Sequence, residues 1–136
     1  MRALLADAQV WLRSALRLLL EHEANVEVVG EAGNILTLPL SISRLRPDLL
    51  FLDWQLPGLY TNSARQRLLN TVRTIDPYLY IIALTNDDNA TSCLLLGADA
   101  FINKAEPPEQ VLTVLRQAEK RKLSPYRPAT DGHLLL

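Results

Sequence analysis

The sequence predicts a doubly wound α/β fold, a parallel sheet with helices on both faces, and two observations predict it. Short apolar runs of strand length alternate five times with longer segments of helical period. The runs also lack the every-second-residue alternation of a half-solvated strand, as strands buried on both faces should. Five strand-helix units joined by right-handed crossovers satisfy both facts.

The first run is Ala3 to Ala6, followed by "QVWLRSALRLLLEHE", in which Leu12, Leu16 and Leu19 recur every three or four residues and Arg13 and Arg17 take another face. The second run is Val26 to Gly30. "NILTLPLSISRLRPD" then fills the slot of the second helix with Pro39 inside it. An interior proline removes a hydrogen bond and costs roughly 3 kcal/mol, so a short or bent helix is expected here. After the third run, Leu49 to Leu52, "SARQRLLNTVRTID" carries Leu68, Val72 and Ile75 on one stripe, with Asn62 or Ser63 as its cap. The fourth run, Leu79 to Leu84, leads to "NATSCLLLGAD", whose Gly97 suits a helix C-terminus. The fifth, Ala100 to Ile102, leads to "PPEQVLTVLRQAEKR", which opens on proline where a helix tolerates it and continues through Val111, Leu115 and Ala118. Beyond residue 122 the pattern stops. Residues 1–122 are therefore expected to form the domain, and "LSPYRPATDGHLLL", residues 123–136, a linker or C-terminal tail.

A chain of 136 residues has room for one domain with a proper core. Its formal net charge of -1 gives no electrostatic case for nucleic acid or membrane as the chain's own partner. The basic run Lys120-Arg121-Lys122 reads as a solvated helix end complementing the macrodipole. The single cysteine, Cys93, excludes an internal disulfide and reads as a packing thiol. Neither His22 nor His133 is recommended as a metal ligand. "MRALLADAQ" reaches an acid too soon for a secretory signal, and no apolar stretch is long enough to span a bilayer. A soluble, cytoplasmic protein is expected.

In open α/β sheets, functional groups gather beyond the carboxyl ends of the strands. Asp7 follows the first run, Asp53 the third, Thr85 the fourth, and Lys104 comes after the fifth. Two carboxylates, a hydroxyl and an ammonium should thus converge on one edge. A carboxylate can attack phosphorus and become an acyl phosphate. The arriving negative charge is balanced by a fixed ammonium and a divalent cation, and magnesium prefers oxygen ligands.

The ordered set "LLADA", "LLFLDWQLPG", "IIALTN" and "GADAFINKA" resembles the receiver domain of two-component response regulators over about the first 120 residues. "VEVVGEAGN" and "LRPDLLFLD" are similar to the subfamily whose output half is a helix-turn-helix domain. The resemblance implies a flavodoxin-like sheet of order 2-1-3-4-5. It implies Asp53 as phosphoacceptor from a sensor histidine kinase, and Asp7, Asp53 and the backbone carbonyl of Gln55 as the Mg2+ site. Thr85 and Phe101 would be the switch residues, and Lys104 the phosphate counter-ion. A homodimer is implied too, with no enzymatic activity of its own and DNA reached only through an output domain outside this chain.

Four departures stand beside the likeness. The family usually has two adjacent acids after the first strand, whereas here Ala8 follows Asp7, so weak Mg2+ binding is expected. Asp87 or Asp88 could line the rim and compensate in part. The turn after Asp53 continues as "GLYTNSARQ", a few residues longer than usual, and Ala105 replaces a common proline. Pro39 is the fourth. Trp54, beside the acid, reads as shielding the site or packing under the loop.

Three rivals follow. A degenerate receiver would keep the fold as a phosphorylation-independent interaction module, with Ala8 as its best support. A phosphatase with an aspartyl nucleophile usually needs a second acid two positions on, where Gln55 stands. A flavin-binding protein needs a phosphate-cradling loop after the first strand, and "DAQVWLR" offers no glycine.

Overall fold

The structure is a computed structural model that describes residues 1–86 and 90–123. Its elements are β1 (Arg2–Ala6), α1 (Val10–Glu21), β2 (Glu27–Ala32), α2 (Leu38–Leu45), β3 (Leu49–Asp53), α3 (Asn62–Ile75), β4 (Tyr80–Thr85), α4 (Ala90–Leu96), β5 (Ala100–Asn103) and α5 (Glu109–Leu123). The strands pair in the order β2-β1-β3-β4-β5, and all four pairings are parallel. This is the doubly wound, flavodoxin-like sheet expected from the sequence.

The sheet's two faces explain the unbroken apolar runs. Leu4, Leu50, Leu52, Ile81 and Ala83 pack toward α2, α3 and α4. Their neighbours Ala3, Leu5, Leu49, Phe51 and Ile82 pack toward α1 and α5. β3 and β4 are buried at every position, so alternation has no polar partner with which to express itself.

Several local expectations are refined. Pro39 lies in the first turn of α2, not in its interior, where its missing N–H costs nothing. The helix is short, eight residues, because it starts only at Leu38. The cap of α3 is Thr61, one residue before the expected pair; its hydroxyl accepts from Ala64 N at 3.1 Å while Asn62 turns to Arg65. Ile75 is exposed, and the buried stripe of α3 is Arg65, Leu68, Leu69 and Val72. Gly97 closes α4 with φ +119°, and Cys93 is fully buried as a packing thiol. The basic run ends α5, where Arg121 lies 3.6 Å from Asp99 and Lys122 donates to Tyr78 O. Of residues 123–136 only Leu123 is described, and it is still the last residue of α5; the rest of the expected tail, with His133, lies outside the described residues. Among those residues no helix is long and apolar enough to cross a membrane.

The long turn between β3 and α3 is tied to the core. Trp54, Leu56 and Leu59 are all buried in the α2–α4 cluster. Gly58 makes the turn at φ +98°, and a Cβ there would lie 2.6 Å from Ile35 Cδ1. Ile35 can give way, but the left-handed backbone cannot be relieved for an L residue. Gly58→Ala is therefore expected to cost about 1–2 kcal/mol, read as a lower urea midpoint with an unchanged m-value.

Candidate functional site

Parallel register brings the strand ends level. Ala6 pairs with Leu52, Asp53 with Leu84, and Thr85 with Asn103. Asp7 thus follows β1, Asp53 ends β3, Thr85 ends β4 and Lys104 follows β5, all at one edge. Each acid turns the chain with its own side chain: Asp7 Oδ1 accepts from Gln9 N at 2.9 Å, and Asp53 Oδ1 from Gln55 N at 3.0 Å. These Asx turns end the strands without a glycine. Asp7 is not the cap of α1, since Gln9 occupies that position. Its main chain is held instead, with its N–H on Ala32 O at 3.0 Å and Arg13 Nη1 on its carbonyl at 2.5 Å.

The Lys104 ammonium lies 3.1 Å from Asp7 Oδ2 and 3.1 Å from Asp53 Oδ1. All three side chains are almost wholly removed from solvent. Gln9 Oε1 stands 3.4 Å from the same ammonium. The Lys104 backbone N–H donates to Thr85 O at 2.7 Å, tying the start of the β5–α5 connection to the end of β4. Thr85 is buried beside them in the strand order. One ammonium faces two carboxylates, so the cluster carries an excess negative charge in a poorly solvated place. The Asp53 carboxyl is accordingly pushed above the usual carboxylate range, first by burial and then by Asp7, with the Gln55 N–H and Lys104 opposing.

The other expected residues fall as follows. Gln55 sits in the turn directly after Asp53 with its side chain exposed, and Phe101 is half-buried against the α2–α4 core. Ala8 is exposed and supplies no donor. Asp87 and Asp88 lie outside the described residues. Trp54 packs under the loop, 1% exposed, with its N–H on Leu84 O at 2.8 Å. A groove of about 480 Å³ borders Lys104 on its apolar side, lined by Leu12, Leu16, Leu19, Leu84, Ile102 and Val111; the two acids do not line it.

Sequence reasoning missed Arg65. It is buried on α3 with Nε and Nη2 on the Trp54 carbonyl at 3.1 and 2.9 Å, and its guanidinium lies 5.2 Å from the Trp54 ring centroid. The signal was present: Arg65 stands three residues before Leu68, on the stripe that Leu68 and Val72 define.

Comparison with known proteins decides the family. The profile of the response regulator receiver domain matches residues 3–116. The chain belongs to that family. It is 32% identical over 137 residues to the phosphate regulon transcriptional regulatory protein PhoB of Pseudomonas aeruginosa, covering 98% of this chain and 58% of PhoB. It is 29% identical over 140 residues to a protein-glutamate methylesterase/protein-glutamine glutaminase of Xanthomonas oryzae, covering 94% of this chain and 38% of that protein. The non-phosphorylated receiver domain of the Escherichia coli stress response regulator RcsB superposes with a TM-score of 0.77 at 25% identity, covering 88% of this chain and 93% of that one. The chain thus spans roughly two fifths to three fifths of these two curated relatives, whose names point to different outputs. What they share with it is the receiver of two-component signalling, a domain that generally binds Mg2+ and is not itself an enzyme.

The raised Asp53 value sets a sign. The folded state keeps the Asp53 proton to higher pH than the unfolded chain, so this group's contribution to stability falls as pH rises from the ordinary carboxylate range through the raised value. Asp53→Asn is therefore expected to melt a few degrees above wild type at neutral pH in metal-free buffer. Calorimetry should show the gap closing as pH falls through that window. A wild type that melts higher at pH 7 would contradict the burial argument.

Proposed function

We propose that this receiver takes a phosphoryl group on Asp53 from a sensor histidine kinase and answers by changing its interaction surface. The observation that carries the reading is the Lys104 ammonium at 3.1 Å from both Asp7 and Asp53. An Asp53 carboxylate oxygen attacks the phosphorus of a phosphohistidine; the P–O bond forms, the P–N bond breaks, and the imidazole leaves as a neutral base after taking a proton. Lys104 is already at the carboxylate, so it can follow the new charge onto the phosphoryl oxygens without a long reorganisation. Thr85, at the end of the adjacent strand, would turn its hydroxyl to the phosphoryl group. Phe101 would then move further into the α4–β5 region, a population shift between two packings.

The donor set fits Mg2+ in kind, being hard oxygens: Asp7, Asp53 and the Gln55 carbonyl would hold it. When bound, the ion would neutralise phosphoryl oxygens. The set is one acid short, because Ala8 offers a methyl group and Lys104 already shares both carboxylates. Weak binding follows. Ala8→Asp is expected to tighten Mg2+ by about tenfold or more, as a charged oxygen ligand added to a poorly solvated pocket should. Titration calorimetry checks this, and a tight site in the wild type would remove the argument.

Residues 1–122 would be the receiver, with α5 reaching one residue further to Leu123, and the remainder to residue 136 a linker or C-terminal tail. The likeness to PhoB, by its name a transcriptional regulatory protein, supports transcription control as the output. Homodimerisation would be the response and the cytoplasm its place. Incubation with acetyl phosphate and Mg2+ followed by intact mass tests the core of the reading. A single phosphoryl adduct is expected on wild type and none on Asp53→Asn. No adduct on either would leave a phosphorylation-independent binding module.

A further inference from the structure

We infer that Arg65 is a positioning residue for Asp53, acting through the Trp54–Gln55 peptide to hold the Gln55 N–H on the carboxylate. The inference rests on the reading of Asp53 as the phosphoacceptor.

A buried guanidinium is costly to desolvate, and the rest of its stripe on α3 is Leu68, Leu69 and Val72. Filling space there calls for another leucine. Arg65 instead places two donors on one acceptor, the Trp54 carbonyl, at 3.1 and 2.9 Å, and steadies Nη1 on Asn62 Oδ1 at 3.0 Å. Its guanidinium also lies over the Trp54 ring.

The peptide transmits that grip. No cis bond occurs among the described residues, so the Trp54–Gln55 unit is trans and planar, its C=O and N–H pointing opposite ways. Arg65 draws the oxygen toward α3, and the hydrogen on Gln55 must then face the other side. There it meets Asp53 Oδ1 at 3.0 Å. Rotation of the preceding peptide is blocked as well, because the Trp54 N–H is bonded to Leu84 O of β4. Lys104 engages the same Oδ1, so two contacts fix the plane of the carboxylate. A cation on the carbonyl also polarises the peptide, which makes its N–H a better donor in a low-dielectric setting.

A purely structural arginine would leave Gln55 no more affected than its neighbours, and that difference is measurable. Amide hydrogen exchange on the full chain, wild type against Arg65→Met and Arg65→Lys, reads it directly. Arg65→Met keeps the bulk over Trp54 and removes both donors. Exchange at Gln55 is expected to accelerate by about tenfold, the factor one hydrogen bond of ordinary net strength carries. The α3 amides beyond Leu68 should stay at wild-type values. Arg65→Lys, which keeps a charged donor, should recover part of the protection. In parallel, the phosphorylation rate at saturating acetyl phosphate should fall by about tenfold in Arg65→Met with a nearly unchanged half-saturation concentration. Unchanged exchange at Gln55, or acceleration spread evenly over the loop and α3, would overturn the inference. If wild type takes no phosphate at all, the reading of Asp53 falls, while the Gln55 exchange still decides whether Arg65 holds that peptide.

Discussion

The ammonium of Lys104 sits between two carboxylates that come from strands far apart in the chain, and the site depends on that contact. Asp7 and Asp53 would repel each other across a poorly solvated gap without it. The sheet order places β1 beside β3 and β3 beside β4, so the acids and Thr85 share an edge, and β5 delivers the cation to the same edge. Lys104 can reach both acids because its backbone is itself held to Thr85 O. The contact is strong enough to exist and too few in charges to satisfy both acids. An unbalanced pocket of that kind has something left to gain from a cation or from protonation, and the raised Asp53 value expresses the same imbalance.

The turn after Asp53 carries the other half of the geometry. A loop this long would ordinarily leave the strand tip free to wander. Here Trp54, Leu56 and Leu59 are buried, Leu56 N donates to Asp53 O at 3.1 Å, and Arg65 closes the turn from α3. These three residues of the turn therefore serve as packing. They anchor the backbone that supplies the Gln55 carbonyl, and they use the core on the α2–α4 face to do so.

Most of this was legible in the chain before any coordinates. A parallel sheet covered on both faces must show unbroken apolar runs, and the one or two residues after such a run lie at a carboxyl end, so Asp7, Asp53, Thr85 and Lys104 could be placed at one edge from position alone. The errors came where one local signal had two readings. Pro39 breaks a helix that has begun and starts one that has not, and nothing in "NILTLPLSISRLRPD" says where the helix begins. Thr61, Asn62 and Ser63 all suit a cap, and only the second use of Asn62, as Arg65's acceptor, singles out Thr61. Arg65 was not singled out at all, because its burial depends on a carbonyl eleven residues earlier in the chain.

The far end of the β4–β5 pair explains why the ammonium arrives where it does. Asp99, just before β5, accepts from Ile81 N at 2.8 Å and from Arg73 Nη2 at 2.8 Å, while its own N–H donates to Ile81 O at 2.8 Å. These contacts pin β5 against β4 at its entry. Lys104 lies five residues on, about 16 Å along an extended chain. A slip of one residue in that register would turn every β5 side chain to the opposite face and bring Asn103 or Ala105 to the acids in place of the lysine. Neither carries a charge. The pairing of Asp53 with Lys104 is thus set by Asp99 and Arg73 at the other end of β5.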